Sequence, residues 1–253
     1  MDKKNFMAQF QGEDPVVIAR LYSLIDAAYS GRPLTSAEFY TPAIWSRIEA
    51  LPGFIPAEAG FYDLMDADRR LFASPLKLAE ENIRLIQVRN NYPARPLAHK
   101  DYLGALMALG IRREKFSDLF LWEDLCYIPM VPEIVDYVLE NLDKVGNNGV
   151  SCKEVDIAEL KEIPRQYKDI NAMVASLRLD AVVSEIISKS RSRGENLIKG
   201  GKVLLNYREC KNRAETIKPQ DIITIRGYGK FKVGSLMGES RKGKQRLMIH
   251  QYL

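Results

Sequence analysis

The feature that most limits the possible folds is a repeated change of apolar spacing in the middle of the chain. Apolar side chains first alternate with polar ones, then recur every three or four residues, then alternate again. A glycine ends each helical pattern or follows it closely, and a Gly-Asn-Asn-Gly turn precedes the last alternation. The pattern predicts a strand, a helix, two strands, a helix and a strand, over residues 82–89, 99–109, 119–122, 125–130, 132–142 and 150–155.

This order of elements is typical of the split ferredoxin-like arrangement, which RNA-recognition motifs share. We therefore predict an RRM-like α/β sandwich over residues 78–160. The apolar residues of both helices would cover one face of the sheet.

The first 77 residues predict a mostly helical segment. One helix carries Val17, Leu21 and Ala28 on a single face, and a second begins near Pro42. A third helix is expected over residues 62–72. The predicted class is α+β, with an N-terminal helical segment (1–77), the sandwich (78–160), a linker containing Pro164 (161–175) and a C-terminal domain (176–253).

The C-terminal segment combines two short helices with a small sheet. Apolar residues from Leu179 to Ile187 indicate the first helix, and Ser192 with Glu195 three residues later is typical of a capping box that opens the second. Residues 202–206 and 222–226 predict strands. This segment contains enough apolar residues to form its own core.

Charge is divided unevenly along the chain. Residues 177–253 carry 17 Lys and Arg against 7 Asp and Glu, a net charge of +10, whereas the rest of the chain carries −6. A basic block on a mildly acidic body is typical of a module that binds polyanions.

No apolar run approaches the length of a membrane span or resembles a signal peptide, and three scattered cysteines favour reduced thiols; we therefore expect a cytoplasmic protein.

The basic residues lie where RNA phosphates can be bound, at a helix N-terminus and on the neighbouring sheet and loops. A solvated helix face is the competing interpretation. Tyr207 and Tyr228 could stack on bases, or pack as partly buried residues. The predicted RNA-binding residues are Arg178, Lys189, Ser190, Arg191, Ser192, Arg193, Lys199, Lys202, Asn206, Lys211, Arg213 and Lys218, with secondary contacts at His99, Lys100, Arg112, Arg113, Arg226 and Lys230.

Two sets of motifs resemble known families. Arg178-Leu179-Asp180, SRSR (190–193), GKV (201–203), Asn206 and KPQDI (218–222) resemble the S4, or alpha-L, RNA-binding domain of a small ribosomal protein. HKDYLGAL (99–106) with GIRREK (110–115), RGYGKF (226–231) and GESRKGK (238–244) are similar to the YlmH family of S4-domain proteins.

The resemblance implies binding to ribosomal RNA and tRNA on the large ribosomal subunit, rescue of stalled large subunits and a link to cell division. We also expect a monomer that needs no cofactor and no small-molecule substrate.

Catalytic and metal sites are disfavoured by the residues present. His99 has no accompanying serine or cysteine motif, and a helix start explains it better. Asp63, Asp66 and Asp68 lack the glycine loop of a calcium site, and the cysteines and histidines are too dispersed for zinc. Two alternatives remain: an RNA-modifying enzyme of the pseudouridine synthase or methyltransferase type that carries an S4 domain, and a protein-interaction scaffold that contacts RNA incidentally.

Overall fold

Two sets of helices and strands follow one another along the chain. The computed structural model describes residues 2–163, 167–239 and 243–252, and it divides into one unit of residues 1–164 and a second of residues 165–253. Pro164 of the predicted linker and residues 240–242 of the third YlmH-like stretch lie outside the described residues. The predicted boundary at residues 77 and 78 falls inside the first unit.

The first unit begins with helices, as predicted, but also contains a small antiparallel sheet. Its helices are α1 (Lys3–Ala8), α2 (Pro15–Ala28) and α3 (Pro42–Glu49). Its strands are β1 (Leu34–Tyr40), β2 (Gly60–Tyr62) and β3 (Arg70–Ser74), in the order β1-β3-β2. Asp14 caps α2 by accepting a hydrogen bond from the amide of Val16 at 2.8 Å, and Pro15 occupies the first turn.

The helix predicted over residues 62–72 is wrong, because this stretch forms the β2–β3 hairpin. Met65 and Asp66 both adopt positive φ, at 57° and 56°, which a continuous helix does not allow. Arg70 then donates to Asp63 across the hairpin, with Nη2 2.7 Å from Oδ2.

Strand β1 was not predicted, because polar residues occupy its inward positions. Ser36 and Glu38 are 3% and 1% exposed, so the apolar alternation expected of a half-buried strand is absent. Each of these side chains has a polar partner, although Oε2 of Glu38 is buried without a hydrogen bond. Ser36 accepts from the amide of Phe72 at 3.0 Å, and Glu38 pairs with Arg20.

The middle of the first unit has the predicted order of strands and helices. After the short helix α4 (Leu78–Glu81) come β4 (Arg84–Asn90), α5 (His99–Ala108), β5 (Phe120–Trp122), β6 (Leu125–Met130), α6 (Val135–Asn141), β7 (Lys144–Val145) and β8 (Asn148–Val155). The strands pair antiparallel in the order β5-β6-β4-β8-β7. The first and third strands of the predicted pattern, which are β4 and β6, therefore lie in the centre. Short 3-10 helices occupy Arg113–Lys115, Pro132–Ile134 and Ile157–Glu162.

Both faces of this sheet are covered over much of their area. Ile86, Val88 and Ile128 pack against the apolar residues of α5 and α6. On the other face, Leu85 and Tyr127 pack against apolar residues of the N-terminal segment and of α4, namely Phe39, Leu64, Ala67, Leu71, Ala73 and Ala79. The aromatic side chains Phe120 and Tyr127 on that face are only 9% and 4% exposed, so base stacking of the kind seen on open RRM sheets has no access to them.

The second unit is a six-stranded antiparallel sheet with two helices on one face. Its elements are β9 (Tyr167–Val174), α7 (Leu179–Ile186), α8 (Arg191–Lys199), β10 (Val203–Leu205), β11 (Arg208–Glu209), β12 (Ile222–Ile225), β13 (Gly229–Glu239) and β14 (Gln245–Tyr252). The strand order is β11-β10-β12-β13-β14-β9. Val182, Val183 and Ile198 of the helices share a core with Phe231 and Ile249 of the sheet.

Residues 167–174 were predicted as linker, and the structure shows them as the edge strand β9. The strand pairs with β14 from Tyr167↔Tyr252 to Val174↔Gln245. Ala172 and Val174 are buried in the core, whereas Asp169, Asn171 and Met173 alternate outward, so the apolar signal was too sparse to indicate a strand.

In the described part of the chain, no helix has the length and apolar character needed to cross a membrane.

Candidate nucleic-acid interface

The predicted RNA-binding residues of the second unit gather around the start of α8. Lys189, Ser190, Arg191, Ser192 and Arg193 are all exposed. The turn before α8 is closed by a hydrogen bond from the Lys189 amide to the Ser184 carbonyl at 3.0 Å. This helix end therefore presents three cations and two hydroxyls beside its first-turn amides and the positive end of its dipole, a combination that attracts phosphate.

The capping box predicted at Ser192 is wrong. The structure places the N-cap two residues earlier, at Ser190, so Ser192 lies within the first turn. The hydroxyls of Ser190 and Ser192 are 3.0 Å apart, and Glu195 accepts a hydrogen bond from Arg213 at 2.6 Å instead of closing a box. Arg191 and Arg193 are therefore in the first helical turn, where side-chain and helix charges act together.

A buried carboxylate organises the arginines. Asp180, in the first turn of α7, has no exposed surface. Nη2 of Arg178 and Nη2 of Arg191 both lie 3.0 Å from its Oδ2. The arginine side chains remain 38% and 52% exposed. One carboxylate thus holds two cationic groups side by side at the surface.

The charge state of Asp180 follows from this geometry. Burial alone would raise its pKa, but the hydrogen bonds and charges of Arg178 and Arg191 outweigh burial and lower the pKa below its usual value. The carboxylate is therefore ionised at neutral pH. The hydrogen bonds to Asp180 in turn raise the pKa of Arg178.

Gly194 brings the two helices close enough for this contact. A Cβ at this position would lie 3.1 Å from the carbonyl oxygen of Asp180 and 3.2 Å from the amide nitrogen of Ser184. Such distances are shorter than ordinary packing contacts. The glycine therefore permits the close crossing of α7 and α8 that places Arg191 over Asp180.

A loop adds Arg213 to the same surface. The carbonyls of Arg213 and Glu215 accept hydrogen bonds from the amides of Asp180 and Leu179, at 3.1 and 2.8 Å. These bonds fix the loop against the start of α7, and the ion pair with Glu195 directs the Arg213 side chain toward α8. We call Arg178, Arg191, Arg193 and Arg213 the arginine cluster.

The remaining predicted residues of the second unit lie farther along the module. Lys199 is in the last turn of α8, and Lys202 follows it; the Lys202 carbonyl accepts from the Arg226 amide at 2.9 Å. Lys211 pairs with Glu209 at 3.3 Å. Lys218 is exposed, and its amide donates to Asp221 at 2.7 Å.

Asn206 has a structural task in the described fold. Asn206 and Tyr207 adopt φ of 48° and 67°, as the two-residue turn between β10 and β11 requires. The Asn206 side chain donates to Asp221 and accepts from the Ile222 amide, both at 2.9 Å. Tyr207 lies beside Lys230, whose Nζ is 5.2 Å from the ring centroid, whereas Tyr228 packs against the core.

The secondary residues of the first unit are held by contacts within it. Arg113 donates to the carbonyls of Phe116 and Ser117 at 2.6 and 2.9 Å, and burial lowers its pKa to about 10. Arg112 pairs with Glu114 at 3.1 Å and lies 3.6 Å from the buried Glu38. These contacts support a structural role for both arginines.

His99 and Lys100 occupy the first turn of α5. His99 is exposed, and partial desolvation of its imidazole, reinforced by the charge of Arg113, lowers its pKa below the usual value. The imidazole is therefore neutral at neutral pH and adds no positive charge to a phosphate contact. Lys100 is exposed.

Asp180 is the main residue that sequence reasoning underestimated. It appeared in the S4-like Arg178-Leu179-Asp180 motif, but it had no predicted task. The available signal was a carboxylate on the apolar face of the predicted α7 helix, since a buried charge requires a cationic partner.

Within residues 2–163, 167–239 and 243–252, no group of histidine, cysteine and acidic side chains is arranged to hold a metal ion.

Comparisons with known proteins match two parts of the chain to known domains. Residues 78–159 match the family model described as "Putative RNA-binding domain in YlmH", and residues 177–223 match the S4 domain. The chain is 29% identical over 199 residues to the ribosome-associated protein quality control protein P2 of Bacillus subtilis (strain 168), covering 77% of each chain.

A solved structure shows a weaker likeness. The cell division protein ylmH from Streptococcus pneumoniae matches with a TM-score of 0.45 and 16% identity, over 59% of this chain and 95% of that chain. At this identity and score the likeness carries no functional weight.

Proposed function

We propose that this chain, whose residues 78–159 and 177–223 match the YlmH RNA-binding domain and the S4 domain, binds structured ribosomal RNA through the arginine cluster at the start of α8. The observation that carries the proposal is the Asp180 contact, which holds Arg178 and Arg191 together at an exposed helix N-terminus. Two guanidinium groups fixed in this way suit adjacent phosphates of a folded RNA, and the exposed Arg193 and the Arg213 held by Glu195 add positive charge to the same helix end.

The ribosome is the proposed location of this RNA. The Bacillus subtilis relative is named as a ribosome-associated quality control protein, and the resemblance of the motifs implies the same setting. We propose the large subunit and tRNA as partners, a cytoplasmic protein and a monomeric state. The link to cell division that the family resemblance implies stays a prediction.

The proposed role is binding without chemistry. The two matched models cover residues 78–159 and 177–223, and neither description names a reaction. Incubation of the purified protein with ribosomal RNA and common cofactors should yield no modified base; detection of one by mass spectrometry would establish the enzyme alternative.

The central test is co-sedimentation with purified large ribosomal subunits. Changing Arg191→Glu and Arg193→Glu together places two negative charges in the first turn of α8 and leaves the buried Leu197 and Ile198 in place. We expect this variant to lose most of its association with the subunits.

The matched control is Lys3→Glu with Lys4→Glu, which makes the same change in net charge on exposed residues of α1. It should co-sediment like wild type. Circular dichroism melting of both variants separates lost binding from lost folding. Normal co-sedimentation of a folded Arg191→Glu, Arg193→Glu variant would exclude the arginine cluster as the binding surface.

A further inference from the structure

The side of the second sheet that faces away from α7 and α8 carries an unusual set of side chains. Strand alternation places Phe231, Val233 and Ile249 in the core, so their neighbours in β13 and β14 point outward. Register then brings Tyr252 opposite Tyr167, and His250 opposite Lys232 on one side and Asp169 on the other. We call this side, with Tyr207 from the adjoining turn, the outer sheet face.

The rings on the outer sheet face contact one another and a lysine. The ring centroids of Tyr167 and Tyr252 are 5.1 Å apart, and those of Tyr167 and His250 are 5.5 Å apart. Nζ of Lys230 lies 4.4 Å from the Tyr252 centroid and 5.2 Å from the Tyr207 centroid. The rings of Tyr167, His250 and Tyr252 thus contact one another, and Lys230 of β13 bridges Tyr252 to Tyr207, so that the four rings and the lysine form a strip from β9 to the β10–β11 turn.

The rings of this strip are partly accessible to solvent. Tyr167, Tyr207, His250 and Tyr252 are all partly exposed. A Cβ at Gly234 would lie 2.9 Å from Nε2 of His250, so the glycine leaves room for the imidazole on the strand surface. Next to the strip, Met173 is 45% exposed.

The charge of the outer sheet face favours a polyanion. Lys230, Lys232 and Arg246 point to this side beside the rings, and so does the carboxylate of Asp169, which lies 2.6 Å from the imidazole of His250. Partly exposed rings among cations are a usual surface for unpaired nucleotides, because bases stack on the rings while lysines and arginines contact the phosphates.

We propose that the outer sheet face is a second RNA surface, which binds unpaired nucleotides by stacking on Tyr167, His250, Tyr252 and Tyr207. The inference rests on the proposed function, since the arginine cluster would bind the structured part of the same RNA. Stacking adds a preference that phosphate binding alone does not create. The protein should prefer RNA in which a single-stranded segment adjoins a stem.

The test compares two RNA probes on the full chain. One is a hairpin with a flush end, and the other is the same hairpin with a six-nucleotide single-stranded extension. Fluorescence anisotropy at constant salt should give wild type an affinity for the extended hairpin about tenfold higher, the scale expected for stacking of one or two bases. The Tyr167→Leu, Tyr252→Leu variant should lose this gain and keep its affinity for the flush hairpin.

Matched controls separate the two proposals. Tyr92→Leu removes a 53% exposed tyrosine of the first unit and should keep the gain. Arg191→Glu should weaken binding of both probes. If wild type binds neither probe, the proposed function fails; if wild type binds both equally, only the stacking surface fails.

A second pair of measurements keeps the proposal testable if the double leucine variant is unstable. Lys230→Gln should reduce the gain while leaving all four rings in place. Photo-crosslinking of wild type to a 4-thiouridine in the extension should label peptides of β9, β13 or β14. Crosslinks confined to the first unit or to α7 and α8 would overturn the proposal.

Discussion

Asp180 and its two arginines show how a single residue can link folding to binding. The carboxylate is fully buried, yet both partners are partly exposed, so the same contacts stabilise the start of α7 and orient the RNA-binding surface. Removing the carboxylate leaves two guanidinium groups close together without a counter-charge.

Asp180→Asn should therefore reduce both the stability of the second unit and its affinity for RNA. We expect the free energy of unfolding of the second unit to fall by about 2 kcal/mol, the scale for hydrogen bonds to a charged group. Binding of the flush hairpin should weaken although no positive charge is lost. Chemical denaturation and anisotropy measure the two effects; Asp169→Asn, on the exposed outer sheet face, is the control for stability.

The lowered pKa of Asp180 also predicts how stability depends on pH. A carboxylate whose folded-state pKa lies below its unfolded value stabilises the fold above the unfolded pKa, about 3.9, and this contribution is lost as pH falls through the folded-state pKa. Wild type should lose stability in this acidic range, and Asp180→Asn should lack that component. Equal acid sensitivity of both proteins between about pH 5 and pH 2 would contradict the role given to Asp180.

At the scale of elements, the crossing of α7 and α8 determines where the arginines lie. The crossing depends on Gly194, whose missing side chain lets the α8 backbone approach Asp180 and Ser184. Helices meet this closely only where small residues stand at the contact.

Gly194→Ala should destabilise the second unit by about 1–3 kcal/mol, because the added methyl group overpacks the crossing. Gly104→Ala is the matched control, since Gly104 is exposed in α5 and a Cβ there meets nothing within 4 Å. That change should be neutral or stabilising, by roughly 0.5–1 kcal/mol from helix propensity. Thermal melting of both variants measures these changes in stability. Equal losses of stability in the two variants would contradict the explanation based on the close helix crossing.

At the scale of the whole molecule, the chain is built from two units with different amounts of open sheet surface. In the first unit, helices cover one face of the sheet and the N-terminal segment covers the aromatic residues of the other. In the second unit, helices cover one face only. Any stacking of bases on a sheet is therefore expected in the second unit.

The second unit should fold alone, provided that β9 is included. A fragment of residues 167–253 retains β9, whose Ala172 and Val174 are buried in the core, whereas residues 176–253 lack it. The longer fragment should bind the flush hairpin and melt about 10 °C or more above the shorter one, since an edge strand and its apolar contacts are lost. Equal melting temperatures would show that β9 adds no stability.

Much of the fold was predictable where local pattern and burial agree. The order of strands and helices in residues 82–155 followed from apolar spacing, and so did α7, β10 and β12. Helix α8 was predicted from a capping box at Ser192, but its N-cap is Ser190. The pattern failed where buried positions are polar or sparse. Ser36 and Glu38 concealed β1, and the exposed Asp169, Asn171 and Met173 concealed β9.

The sequence by itself determined the basic character of the second unit, the residues that form its core and the presence of arginines near a helix start, because charge and apolar spacing are properties of the chain. Only the tertiary structure decided which cations meet at Asp180, that Ser190 and not Ser192 caps α8, and that four rings from separate strands and a turn share one face. These outcomes depend on helix crossing and strand register, which bring together residues far apart in the sequence through contacts that no local pattern encodes.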